Sequence, residues 1–476
     1  MIKNLLILIF FITSADLIGQ ESYSLTRCLE VALENNISLS QAALGVQQSE
    51  LNHIQRKASL LPSVNASASH GYNWGQTIDP FTNQFATNRI QSNSFGVNTG
   101  VTLFNGFVLQ NQAKQAELNV EISRLGLESS RNSIALAVAN SYLAILFNEE
   151  IDAANKANMS ASQEQLERVR LLVDAGQVPE SNLFQAEAQL AMDESRVISS
   201  ENAIAISKLN LMQLIQLSDG DRVTFEIEKP LLNDPTFLLP SKDLVVSHAL
   251  SSFPEVKSAE VGLVTSELDY KIASGNRYPR LAASYNYGTG FSGANIRGVG
   301  DEINLGNIPI GTIAGTDVPV LSLNETSTFS DFETVPFFNQ LESNVNRSLF
   351  FSLNIPIFNG LSNHANVQLA KIGRENARLS VLDTKNKLQQ TVESAFADAN
   401  AAYKAYQAAD YSLKAQEEAF KYAQIRYEEQ VINGVDYAQA RSVRDSALAE
   451  KIRSQYDYIF KVKILEFYQG NPITLN

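Results

Sequence analysis

Val101-Thr102-Leu103-Phe104-Asn105-Gly106 is written a second time as Ile355-Pro356-Ile357-Phe358-Asn359-Gly360. The shift is 358 − 104 = 254, and it persists for about 80 residues, as expected of a tandem structural repeat. Arg124 falls on Arg378, Leu125 on Leu379, Ile134 on Leu388, Val138 on Val392, Tyr142 on Phe396 and Ala186 on Ala440. Upstream a second shift applies. Ala32-Leu33 matches Ala249-Leu250 and Pro62 matches Pro279, both at 217, so 254 − 217 = 37 residues are inserted between Pro279 and Phe358. The chain is therefore expected to comprise a first repeat at 20–217, a Pro-rich connector at 218–243, a second repeat at 244–470 and a tail at 471–476.

Residues 1–19 have the pattern of a secretory signal, with Lys3 before an apolar run from Leu5 to Ile12. That run is too short to cross a membrane as a helix; the other reading is a buried N-terminal helix. Cys28 is the only cysteine, so no intramolecular disulfide forms; it is expected as a small buried helix residue. A formal charge of −14 disfavours nucleic acid and anionic lipid headgroups as partners, since both select basic patches.

Four segments alternate with period two, the mark of strands with unlike faces. Val64, Ala66, Ala68, Tyr72 and Trp74 oppose Ser63, Asn65, Ser67, Ser69 and Asn73. Phe95, Val97, Val101 and Leu103 oppose Ser94, Gly96, Asn98 and Gly100. Leu281, Ala283, Tyr285 and Tyr287 oppose Ala282, Ser284, Asn286 and Gly288. Leu349, Phe351, Leu353, Ile355 and Ile357 oppose Ser348, Ser352 and Asn354. Each is about 10–12 residues, enough for a tilted strand to cross an outer membrane. The polar faces are small and uncharged, as a water-filled lumen requires. Tyr72, Trp74, Tyr285 and Tyr287 lie where an interfacial aromatic belt would sit. A soluble β-sandwich is the competing reading. The strand-loop-strand units fall at about 62–104 and 279–358, and the polar segments between paired strands, including the insertion, are expected as exposed surface loops.

The remainder is expected to be helical. Proline is absent between Pro80 and Pro179 and between Pro356 and Pro472. Phe107 to Val173 would make a helix of about 100 Å at 1.5 Å per residue. Leu118, Ile122, Leu125, Leu136, Leu143 and Leu146 form one apolar seam, and Leu127, Ile134, Val138 and Ile145 a second. Two seams imply two neighbouring helices, as in a closed ring. Each long helix breaks at a tip, at about 174–180 and 430–436, and a second long helix returns. Helices at about 25–60 and 244–274 lead into the strands.

Four strands cannot close a barrel with a usable lumen, and open edges are not tolerated in lipid. Two copies would give 8 strands, a barrel filled by its own side chains; three would give 12 and an aqueous passage. Here the sequence resembles the TolC-like outer-membrane efflux proteins, or outer membrane factors, over essentially all of the mature chain. The resemblance rests on the duplication, the strand-to-helix turns Asn105-Gly106 and Asn359-Gly360, and the tips. The family's tip pattern of Arg-Tyr-x-x-Gly, Asp and Ala is approached by Arg426-Tyr427, Asp436 and Ala440, and by Gly176, Asn182 and Ala186. Gln430 replaces the second glycine, Asn182 the first aspartate, and Leu172-Val173 the Arg-Tyr pair.

The resemblance implies a mixed α and β membrane protein. It would be a homotrimer in the bacterial outer membrane, its 12-strand transmembrane barrel, four strands per protomer, continuous with a long periplasmic α-helical barrel. It implies an exit duct for tripartite efflux or type I secretion. The partners would be a periplasmic adaptor, an inner-membrane transporter of RND, ABC or MFS type, and outer-membrane lipid. Asp436 would form a ring of three carboxylates at a narrow entrance and select cations. Its other reading is a cap of the returning helix. Tyr427 would latch to Asn182, a neutral and therefore weaker bond than one to a carboxylate. Gln439 stands where relatives can carry a second acid. Gly176, Gln177, Val178 and Gln430, Val431, Ile432, Asn433 are the expected adaptor-docking tips.

Enzyme chemistry finds no support. His53, His70, His248 and His364 are scattered without ligand spacing, and phosphate-binding glycine loops and nucleophile elbows are missing. No metal or other cofactor is expected. A passive porin and a secreted helical rod or adhesin are the alternatives, but porins lack such helices, and a rod leaves the four strands unexplained. The cargo is not legible.

Overall fold

Ser24 accepts a hydrogen bond from the Arg27 amide and starts the first helix. The computed structural model describes residues 22–79, 81–83, 85–86, 89–217, 219–222, 225–230, 239–429 and 431–473. The expected signal segment, Gln430, much of the connector and the last three residues lie outside the described residues. The first set of elements is α1 (Leu25–Asn35), α2 (Ile37–Ala58), β1 (Ser63–Asn73), β2 (Thr77–Ile78), β3 (Phe85–Ala86), β4 (Ile90–Phe104), α3 (Val108–Asp174) and α4 (Glu180–Leu214). A short turn of helix, α5 (Asp219–Arg222), follows. The second set is α6 (Lys242–Ser252), α7 (Pro254–Gly275), β5 (Arg280–Ser292), β6 (Ile296–Asn304), β7 (Pro309–Thr312), β8 (Pro319–Leu321), β9 (Ser327–Thr334), α8 (Phe337–Ser343), β10 (Asn346–Asn354), α9 (Ser362–Glu428) and α10 (Gly434–Tyr468).

The repeat reappears in the element bounds. α3 and α9 are each 67 residues and begin 362 − 108 = 254 apart; α4 and α10 are each 35 and begin 434 − 180 = 254 apart. α1 and α6 begin 242 − 25 = 217 apart. Each helix expected ahead of the strands is in fact two. Asn36 interrupts the first, its side chain accepting from the Ser38 and Leu39 amides and donating to the Leu214 carbonyl. Pro254 restarts the second, as proline favours the first helical position.

The chain divides into a helical unit (to Leu51, Glu117–Ser266 and from Gly373) and a strand unit (Asn52–Ala116 and Glu267–Ile372). In the helical unit, Cys28 and Ala32 of α1 pack with Val138, Tyr142 and Ile145 of α3 and with Leu211 of α4. Burial pushes the Cys28 thiol up to about 12. Val245 and Ala249 of α6 pack with Val392 of α9 in the corresponding places. One difference between the two cores is a single hydroxyl. The Tyr142 hydroxyl donates to the Glu228 carbonyl at 2.6 Å and lies 3.2 Å from that of Tyr23, pinning the Tyr23–Ile227 bridge. Phe396, its counterpart, has no hydroxyl.

In the strand unit the sheet order is β1-β4-β5-β10, all antiparallel. The register sorts every strand by face. Ala66, Val97, Tyr287 and Arg347 form one row, and Val64, Thr99, Tyr285 and Leu349 the next. On the other face Asn65, Asn98, Asn286 and Ser348 form a row of small polar side chains. Phe350 breaks that polar face, in a row with Ser63, Gly100 and Ser284. β10 ends at Asn354, short of the expected Ile357, because Pro356 has no amide to donate to a ladder. Among the described residues, the outer edges of β1 and β10 have no strand partner.

Both strand-to-helix turns use two successive left-handed residues: Gly106 and Phe107 at φ 68° and 61°, Gly360 and Leu361 at 62° and 65°. Asn105 and Asn359 then accept from the Leu109 and Asn363 amides. A β-carbon on Gly106 would strike the Gly275 carbonyl, so this turn requires glycine for approach as well as for φ.

The segments expected as plain surface loops carry structure. β2–β3, β6–β9 and β7–β8 are two-stranded ribbons, and α8 lies against β5 with its Gln340 fully buried. Exposed ribbons have no single buried face, so they leave no period-two signature.

Candidate functional site

The first tip closes as a Schellman turn. α3 ends at Asp174, Gly176 takes φ 70°, and the Gly176 and Gln177 amides bond the Val173 and Leu172 carbonyls, both at 2.9 Å. At the second tip the Val431 amide bonds the Arg426 carbonyl at 2.8 Å. Asn433, not Asp436, then caps α10, its side chain accepting from the Asp436 amide at 2.9 Å. Asp436 stands in the first turn of α10 with its side chain exposed, where a negative charge suits the helix dipole. Gly176, Gln177, Val431 and Asn433 are exposed, and Val178 and Ile432 half-buried.

Tyr427 stacks on Tyr437 with ring centroids 4.6 Å apart and 18° between planes, and Phe420 flanks Tyr437 at 5.5 Å. Burial raises the Tyr437 phenol, partly offset by Arg441. A cavity of about 250 Å³ lies beside the tyrosines, lined by Asn182, Gln185, Met192, Tyr427, Val435 and Arg441 among others. Asn182 and Tyr427 thus share a cavity, but within the protomer no hydrogen bond joins them among the described residues.

Behind the cavity lies a buried charge network that sequence reasoning missed. Asp193 of α4 is 1% exposed and Arg441 of α10 4%. They pair at 3.3 Å. Arg441 also donates to Ser162 and to the Asn158 carbonyl of α3. Asp193 accepts from Ser162, Gln189 and Arg196. Arg444 donates to Asn158, lies 2.8 Å from Asp445, and covers the Phe420 ring of α9 at 4.7 Å. Burial raises the Asp445 carboxyl, with Arg444 and Arg441 opposing. All four long helices meet here. A signal existed: Asp193 occupies the same buried stripe of α4 as Val197, Ser200, Ser207 and Leu211, where a lone charge demands a partner.

Among the described residues no cluster of His, Cys, Asp and Glu has the arrangement of a metal site.

The family model described as "Outer membrane efflux protein" matches residues 28–215 and 245–471. "Outer membrane efflux protein BepC" of Brucella suis is 23% identical over 402 residues, 84% of this chain and 75% of that protein. The structure of a membrane protein from Pseudomonas aeruginosa superposes with a TM-score of 0.72 at 17% identity, covering 95% of each chain. The outer membrane protein VceC of Vibrio cholerae superposes with a TM-score of 0.72 at 14% identity, covering 94% of this chain and 96% of that one.

Proposed function

Because the chain belongs to the outer membrane efflux protein family, we propose that three copies assemble into an exit duct that passes small molecules from a periplasmic adaptor and inner-membrane transporter to the exterior. One observation carries this reading. The four-stranded sheet has one apolar and largely exposed face, with Val64, Leu349, Phe351 and Leu353 each at least 60% exposed, while its other face is mostly small and polar and, among the described residues, both edges are unpaired. In water such a patch is costly; in a bilayer, ring closure satisfies the edges and lipid covers the face. Two helices of 67 residues each, about 100 Å long at 1.5 Å per residue, favour a duct over a porin. Tripartite efflux and type I secretion both fit this scaffold.

At the periplasmic end, three exposed Asp436 side chains form an acidic ring, and the exposed tips around Gly176–Val178 and Val431–Asn433 receive the adaptor. Tyr427 finds Asn182 as the tips rearrange or across the protomer boundary. Deleting the gene is expected to sensitise cells to small toxic compounds, with rescue by the wild-type chain only when its adaptor is present. Rescue without the adaptor would point to a porin. In planar bilayers Asp436→Asn should lower cation selectivity; an unchanged reversal potential would remove Asp436 from the ring.

A further inference from the structure

The segment between β1 and β4 is tied to the sheet at Asp79 and Phe81. Asp79, just after β2, is fully buried and accepts from the Phe81 and Thr82 amides at 3.0 and 2.8 Å, from the Thr82 hydroxyl at 3.1 Å, and from the Ser292 hydroxyl. Ser292 is fully buried as well, and its amide and carbonyl are both held by Gln340 of α8. Burial alone would raise the Asp79 carboxyl, but these hydrogen bonds outweigh it and hold the group below its ordinary value.

The register says which face the loop covers. Ser69, Ser94 and Gly290 align on the polar face, and the Ser69 and Ser94 hydroxyls touch at 2.7 Å. The Phe81 ring occupies the space where a Gly290 side chain would stand. Ile90, which pairs with Asn73 on that same face, is only 4% exposed. α8 instead sits on the opposite face, where Phe337 packs on Phe95 and Phe291 with ring centroids at 6.3 and 5.3 Å. Phe81 and α8 therefore take opposite faces of the sheet, Phe81 the polar one.

We propose that this loop is a built-in constriction of the outer mouth, with Asp79 as its anchor and Phe81 as the side chain that narrows the passage. It rests on the barrel reading above, in which the polar face lines the lumen. Three copies of Phe81 ring the exit, and an apolar ring on a mostly polar wall resists bulky solutes more than small ones. The cargo class it fits is small molecules rather than folded protein.

The test uses the full chain in cells with Asn98→Cys, a cysteine on the polar wall. Cys28 is fully buried and gives little background. A small impermeant maleimide and a polyethylene-glycol maleimide are applied from outside. With the native loop the small reagent should label fast and the bulky one slowly. Phe81→Ala and, separately, Asp79→Ala should speed the bulky reagent several-fold and leave the small one unchanged. Heat-modifiable trimers verify folding of each variant. Equal bulky-reagent rates in the native and both loop backgrounds overturn the constriction. Val97→Cys, on the apolar face, distinguishes the deeper failure: if it labels as fast as Asn98→Cys, the barrel reading itself is wrong.

Discussion

Replacing Arg441 with alanine is expected to destabilise the helical unit by about 3 kcal/mol, the lower end of the cost of breaking a buried ion pair, because Arg196 still reaches the carboxylate left behind. The stranded group is Asp193, at 1% exposure. It would keep Ser162, Gln189 and the half-exposed Arg196 as donors but lose the buried guanidinium that ties α10 to α3 and α4. Denaturant unfolding of the detergent-purified protein, followed by the helical signal, reads the effect. Removing both charges, as Arg441→Met with Asp193→Leu, should recover much of the loss, since apolar replacement of a whole buried pair is often neutral. If Arg441→Ala unfolds at the denaturant concentration of the parent, the network is not holding the hairpins together.

The repeat gives that network a further meaning. Shifting by 254 takes Asp193 to Ala447, Ser162 to Gln416 and Arg441 to Glu187. In a ring built from two repeats per copy, these positions face one another at the boundary between protomers. No buried ion pair can form there from an alanine, a glutamine and a glutamate. In such a ring the joint inside a protomer would be bolted by this network, and the joint between protomers would lack its equivalent. An entrance built this way should part between copies, with each pair of hairpins moving as one piece.

Much of this was legible because the repeat constrains it. Two shifts, 217 and 254, recur in the bounds of the helices, and period-two alternation separated the faces of β1, β4, β5 and β10. What escaped has physical causes. Asn36 and Pro254 break helices inside apolar periodicity that runs on unbroken, so only cap chemistry marks them. The outer ribbons bury neither face and carry no pattern. Phe350 sits one residue out of phase within Leu349-Phe350-Phe351, where a run of apolar residues hides which face each takes. Asp193 and Arg441 are 441 − 193 = 248 residues apart; a buried charge can be suspected from one helix, but its partner is known only once the helices are packed.

The same pseudo-symmetry dictates how one copy should meet the next. Within the protomer β4 joins β5, the second strand of one repeat against the first of the other, with Asn98 opposite Asn286. Moving Asn98 by 254 gives Ser352 of β10, and moving Asn286 back by 217 gives Ser69 of β1. Ser352 is therefore expected opposite Ser69 of the neighbouring copy, on the polar face. Opposed residues in an antiparallel pair have Cα atoms about 4.5–5.5 Å apart, within the range a disulfide spans. The chain carrying Ser352→Cys and Ser69→Cys should oxidise to a covalent trimer that survives boiling without reductant. Ser352→Cys with Ser63→Cys, six residues out of register, should not cross-link. A covalent dimer as the largest species would mean an 8-strand barrel, and a ladder beyond three would mean an open assembly. Cross-linking through Ser63 in place of Ser69 would mean that the boundary between copies does not repeat the β4–β5 register at all.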